Sequence, residues 1–181
     1  MSQIQLKIHF VMKNITSILL LFLVVNTGMA QDSTSRKTSI EVQRIIKSDV
    51  RGIIRGYSLG FDMSVIKETE DAILDGKGDD YLIYKVEFDK DEFAEITYTF
   101  DKDSKLISIG VTFIEKINSK KEEQIIDDFQ EYFNGRYGEF TVNKKEDEVW
   151  KSKDGYIVEM GDASEENSSL LAVEIEFYKP E

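Results

Sequence analysis

The chain has no cysteine, a single histidine and a single proline. Each absence removes a class of chemistry. Without cysteine there is no disulfide, no thiolate nucleophile, and no Cys ligand for zinc or an iron–sulfur cluster. The one histidine, His9, lies within a stretch read below as a cleaved leader, so the working chain has no imidazole either. Ser-His-Asp and Cys-His nucleophile systems then lack a member. A general base near neutrality has to be a tuned carboxylate or a lysine. Long apolar runs are missing too. The longest, Ile18 to Val25, is eight residues, well short of the roughly 20 that a membrane-spanning helix needs.

That short run sits in a recognisable context. Lys7 and Lys13 precede it, no acid comes before Asp32, and Gly28-Met29-Ala30 ends it with small residues. A basic start, a short apolar middle and a small-residue exit make a secretory signal peptide, 1–30, cleaved near Ala30-Gln31. The stretch from Met12 is already complete as a signal, which makes Met12 an alternative start. The expected mature chain is periplasmic or secreted, without a stable membrane anchor, and one domain in size.

Charge narrows the partners. The full chain carries −12, and loss of Lys7 and Lys13 takes it to −14. Residues 31–60 hold six basic side chains against three acids, which leaves 61–181 at −17. So acidic a body repels nucleic-acid phosphates. The basic segment either attracts an acidic partner or lies on the acidic body, and the second is the ordinary outcome for solvated charges.

Along the mature chain, 31–55 reads as a polar and basic N-terminal segment, with a short helix favoured over Ser39 to Lys47. A first unit, 56–116, begins with a helix capped by Asp62. Its stripe is Val65, Ile66, Thr69, Ala72 and Ile73, with Gly76 for a left-handed exit. Three strands follow, in which Leu82, Tyr84, Val86, Phe88, then Ala94, Ile96, Tyr98, Phe100, then Ile107, Ile109, Val111, Phe113 alternate with polar residues. A second unit, 117–181, repeats the order. Ser119 and Glu122 form a capping box, Ile125, Ile126, Phe129, Tyr132 and Phe133 form the stripe, and Asn134-Gly135 closes the helix. Three strands around Trp150, Tyr156 to Met160 and Leu171 to Phe177 complete it. The expected fold is α+β: two successive αβββ units, each an antiparallel three-stranded meander, with the helices packed on one face and the units joined as one globular domain.

This plan resembles two families of small secreted bacterial domains. The residues that carry the likeness are Gly60 to Val65, Tyr98 to Ile109, Tyr137-Gly138 and Trp150. The families are the outer-membrane-assembly lipoproteins of the SmpA/OmlA type and the β-lactamase-inhibitor-protein-like group. The resemblance implies the repeated helix-plus-meander fold and a protein-binding role, and it carries over no functional residue. The chain departs from the first family in lacking a lipobox cysteine and from the second in lacking disulfides.

Acid clusters are the remaining chemistry. Asp75, Asp79 and Asp80 in "DGKGDD" offer hard oxygens to calcium, but their spacing is not that of a calcium loop and a turn explains them as well. A carboxylate-pair hydrolase acting on cell-wall or polysaccharide substrate would need two acids facing one cleft. Trp150 reads as core. Tyr81 and Phe93 fall on the polar sides of their strands, where aromatics rimmed by charge mark protein-binding surfaces. The leading expectation is an exported, non-catalytic domain that binds another extracytoplasmic protein. A hydrolase is the alternative, and a calcium-binding domain the second alternative.

Overall fold

The computed structural model describes residues 38–47, 52–90, 92–116, 119–164 and 170–180, with backbone alone for 115, 116, 119–122, 170 and 171. The leader, residues 31–37 and the side chains of the capping box lie outside the described residues. One structural unit spans Thr38–Glu181.

Two short helices come first. α1 (Ile40–Ile46) buries Val42, Ile45 and Ile46, and Lys47 ends it in the left-handed region at φ 49. α2 (Met63–Thr69) buries Met63 and Ile66. Asp62 stands at its N-cap position in extended conformation but makes no side-chain cap. Its carboxylate instead accepts from Lys105 Nζ at 2.7 Å. The expected continuation of α2 to Ile73 is corrected. Glu70 turns to ψ 127, and its side chain is drawn inward to Arg55, Tyr98 and the Ala72 N–H. The next residues become β1 (Ile73–Lys77), so Gly76 lies in a strand and not in a helix exit.

The first meander continues with β2 (Tyr81–Asp89), β3 (Glu92–Phe100) and β4 (Leu106–Lys116). A long helix, α3 (Ser119–Tyr137), runs past the predicted stop at Asn134-Gly135 and ends at Gly138, whose φ of 89 suits glycine. β5 (Thr141–Val142), β6 (Glu148–Lys151), β7 (Ile157–Asp162) and β8 (Leu170–Tyr178) form the second meander.

The chain does not form two αβββ units, each with a three-stranded sheet. All eight strands join one antiparallel sheet in the order β1-β2-β3-β4-β8-β7-β6-β5. Each half adds four strands, and the seam is β4 against β8, from Ser108↔Tyr178 to Lys116↔Leu170. Left unpaired, either strand would expose a long row of N–H and C=O groups. Pairing satisfies both and extends one apolar face without a break. Tyr98 lies opposite Ile109, Ile109 opposite Phe177, Phe177 opposite Val158, and Val158 opposite Trp150. All five belong to one buried cluster, which also takes in Val42 and Ile45 of α1, Ile66 of α2, and Ile125, Phe129 and Phe133 of α3. Among the described residues no helix is long and apolar enough to cross a membrane.

Candidate functional site

A strand that sends alternate side chains into a core sends the others to the opposite face. Across the sheet these others line up in rows: Ile83, Thr97, Gly110, Glu176 and Glu159 in one, and Lys85, Glu95, Thr112 and Glu174 in the next. None of them is buried, whereas the core face from Leu82 to Phe177 is almost wholly inaccessible. Among the described residues the outer face is therefore uncovered, and its centre is flat because its side chains there are Thr97, Thr112 and Gly110.

Tyr81 and Phe93 both lie on this face. Tyr81 is 39% exposed and pairs with Thr99. Phe93 is half-buried and pairs with Glu87 near the other end of β2. They are six residues of β2 apart, about 20 Å at roughly 3.3 Å per residue. The structure thus places them on one surface but not in one cluster. Lys85 Nζ sits 4.2 Å from the centroid of the Phe93 ring and 3.5 Å from Glu87 Oε1, a cation–π contact that holds the aromatic within a charged setting.

The half of the face formed by β7 and β8 is acidic. Glu159 lies directly opposite Glu176, and Glu174 follows two residues before it on β8. The Tyr178 hydroxyl donates to Glu159 Oε1 at 3.0 Å. Partial burial, then the charges of Glu174 and Glu159, push the Glu176 carboxyl above the usual carboxylate range. A raised folded-state value makes an acid a liability at neutral pH. Its cost is absent below the unfolded value, near about 4.3, and grows as pH rises through the folded one. Glu176→Gln is therefore expected to stabilise the chain by a few tenths of a kcal/mol at pH 7, the scale of exposed charge interactions, and by nothing at pH 3. Thermal melts of the two proteins at both pH values check this.

The aspartates proposed for calcium are spread out. Asp75 stands within edge strand β1, while Asp79 and Asp80 form the turn into β2. Among the described residues no group of three or more carboxylate, histidine or cysteine side chains is placed to hold a metal ion. Among the described residues, acids share a hollow beside β7. Glu146, Glu148 and Asp162 line a hollow of about 190 Å³ backed by Ile126, Met160 and Val173. Burial raises the Glu148 carboxyl, which accepts from Gln130 Nε2 at 2.6 Å. Hydrogen bonds from Ser164 lower Asp162. Glu148 and Asp162 are shifted in opposite directions, and the volume falls below the roughly 300–1,000 Å³ of ligand pockets.

The densest polar cluster was not singled out in the sequence. Arg55 and Glu70 have side chains 3% and 1% exposed. Arg55 Nε and Nη2 donate to Glu70 at 3.0 and 2.6 Å, Nη2 donates also to Asp71 Oδ1 at 2.7 Å, and Nη1 donates to the Arg44 carbonyl at 2.6 Å. The Tyr98 hydroxyl donates to Glu70 Oε2 at 2.7 Å. Burial alone would push the Glu70 carboxyl up, but Arg55 and the Tyr98 and Ala72 donors outweigh it and hold it below the usual range. Lys47 ion-pairs with Asp71 at 2.7 Å. Lys47 and Arg55, both from the segment read as basic, thus lie on the acidic body. The cluster is fully partnered and ties the end of α1, the Arg55 turn and the end of α2 together. Its role is to position α1 and β1. Compared with family models, curated proteins and solved structures, the chain matches none.

Proposed function

We propose that this chain is an exported, non-catalytic domain that binds another extracytoplasmic protein through the uncovered face of its sheet. The observation that carries this reading is the unequal treatment of the two faces. One is sealed by apolar side chains, and the other leaves Tyr81, Phe93 and Tyr178 half-exposed among charges. Aromatic groups interleaved with charge are characteristic of interface patches, and monomeric proteins seldom leave broad apolar-containing surfaces without a partner. Export is supported by the basic, apolar and small-residue order of residues 1–31. Glu159, Glu174 and Glu176 select a partner that is basic where it meets β7 and β8, since opposed potentials steer association and like charges penalise it.

The test is retention of a partner from cell-envelope extract on the immobilised chain. The wild type is expected to retain one, with affinity falling as salt rises. Glu174→Lys/Glu176→Lys is expected to weaken retention about tenfold or more, while Glu68→Lys on the exposed side of α2 leaves it unchanged. Equal retention by the double variant, with its fold intact by circular dichroism, contradicts the reading.

A further inference from the structure

β2 is nine residues long, but β1 pairs only with its Leu82-to-Lys85 portion. Beyond that, on the same side, Val86 to Asp89 has no strand neighbour among the described residues. A cleft of about 530 Å³ meets this edge at Val86 and Glu87. It is lined by Lys85, Val86 and Glu87 of β2 and, from α1 and its cap, by Ile40, Arg44 and Lys47. Ile73, at the start of β1, also lines it.

From this geometry we propose that the cleft takes an extended, acidic segment of another protein as an added strand on the edge of β2. Three observations on the structure agree. An uncovered edge offers main-chain donors and acceptors to an extended chain, and pockets beside it read alternate side chains. The open stretch is four residues, about 13 Å at roughly 3.3 Å per residue, so a short strand fills it. Ile40 and Ile73, 66% and 58% exposed, both line the cleft and supply apolar contact to an arriving side chain.

Charge decides the class of segment. The lining holds Arg44, Lys47, Arg55 and Lys85 against Asp71 and Glu87. Glu70 neutralises Arg55, and the balance remains positive in a chain whose net charge is −12. Arg44 is held over the Phe88 ring at 5.2 Å, and Lys85 over Phe93 at 4.2 Å. Both heads are thus braced among the residues that line the cleft, where carboxylates of an arriving strand would meet them. This edge site is a second contact surface beside the uncovered face, and its test needs no natural partner, so either can fail without the other.

The probes are three labelled nonapeptides: alternating Glu-Val, alternating Lys-Val, and Glu-Val with alternate amides N-methylated. Each is titrated by fluorescence anisotropy with the chain from Gln31 to Glu181. Glu-Val is expected to bind at least tenfold more tightly than the other two, and its binding is expected to fall at least tenfold with Arg44→Glu/Lys85→Glu. Hydrogen exchange at Val86 to Asp89 is expected to slow when the peptide is bound. Failure of Glu-Val to bind overturns the proposal. So does equal binding of Lys-Val or of the methylated peptide, or protection confined to another strand. The wild-type peptide comparison stands even if the double variant misfolds. Sedimentation of the chain alone covers the remaining occupant: a dimer abolished by Arg44→Glu/Lys85→Glu would place a second copy in the cleft and overturn the proposal.

Discussion

Glu70→Ala is expected to lower the unfolding free energy by about 3–5 kcal/mol, the range seen when one partner of a buried ion pair is removed. Arg55 would keep the Arg44 carbonyl and the exposed Asp71 carboxylate, but it would lose three of its donor contacts. The Tyr98 hydroxyl and the Ala72 N–H would lose their acceptor at the same time. The cost arises from stranding a buried charge and not from the worth of the pair itself. Arg55→Met/Glu70→Leu is therefore expected to recover most of it, and adding Tyr98→Phe to remove the orphaned hydroxyl, a penalty of about 1–3 kcal/mol. Urea midpoints at unchanged slope measure all three. A loss under about 1 kcal/mol for the single variant, or an equally unstable double variant, contradicts the burial of this pair. The sign with pH follows from the lowered carboxyl. Its contribution is complete above the unfolded value of about 4.3 and is lost as pH falls through the lower folded value. Glu70→Gln is expected to remove that part of the acid sensitivity, leaving the slope from Asp71, which Lys47 lowers in the same direction.

Phe133→Ala is expected to cost about 3–5 kcal/mol, as for other buried aromatic truncations. Phe133 is 0% exposed and is the hub of an aromatic cluster. Its ring centroid lies 5.1 Å from Trp150, 5.8 Å from Phe177, 6.0 Å from Phe129 and 6.2 Å from Tyr137. It is the contact through which α3 grips β6 and β8. The adjacent Asn134 side chain accepts from Trp150 Nε1 at 2.9 Å, so the same turn of helix fixes both orientation and packing of the indole. Val142→Ala, at a site 61% exposed, is the control and is expected to stay within about 0.5 kcal/mol. Comparable losses from the two substitutions would contradict the placement of the core.

What local pattern reveals and what it hides can be read from particular residues. β2 and β3 were legible from their alternation, which also put Tyr81 and Phe93 on the outward side, and β4 was legible from Ile109 onward. Ile107, expected to face inward, is 46% exposed because an irregularity in the β3–β4 register pairs Phe100 with Leu106 and buries Leu106 instead. The short helix at Ile40 is favoured although its apolar residues fit neither period cleanly, and Trp150, 1% exposed, reads as core because a lone tryptophan on a strand usually is. The helix carried to Ile73 was not corrected by any local signal. Thr69, Ala72 and Ile73 fit a helical stripe, but Glu70 is claimed by Arg55 fifteen residues upstream, and periodicity does not see that pairing. β1 contains Asp75 and Gly76, poor strand formers, and is extended because the edge of β2 supplies its partners. The union of two meanders rests on β4 meeting β8 across more than fifty residues of chain. For the same reason the facing of Glu159 and Glu176 was invisible. Each acid looked like an isolated solvent-side residue until the β7–β8 register brought them opposite one another.

The central claim is that the uncovered face of the sheet meets another protein. The most direct measurement places a photo-cross-linking side chain singly at Thr97, at Thr112 and at Glu68, then irradiates each protein in cell-envelope extract. Thr97 and Thr112 lie in the middle of the uncovered face, on adjacent rows, and Glu68 is exposed on α2. The account predicts one cross-linked partner of the same mass from both threonine positions and none from Glu68. A partner captured from Glu68 and from neither threonine would contradict it.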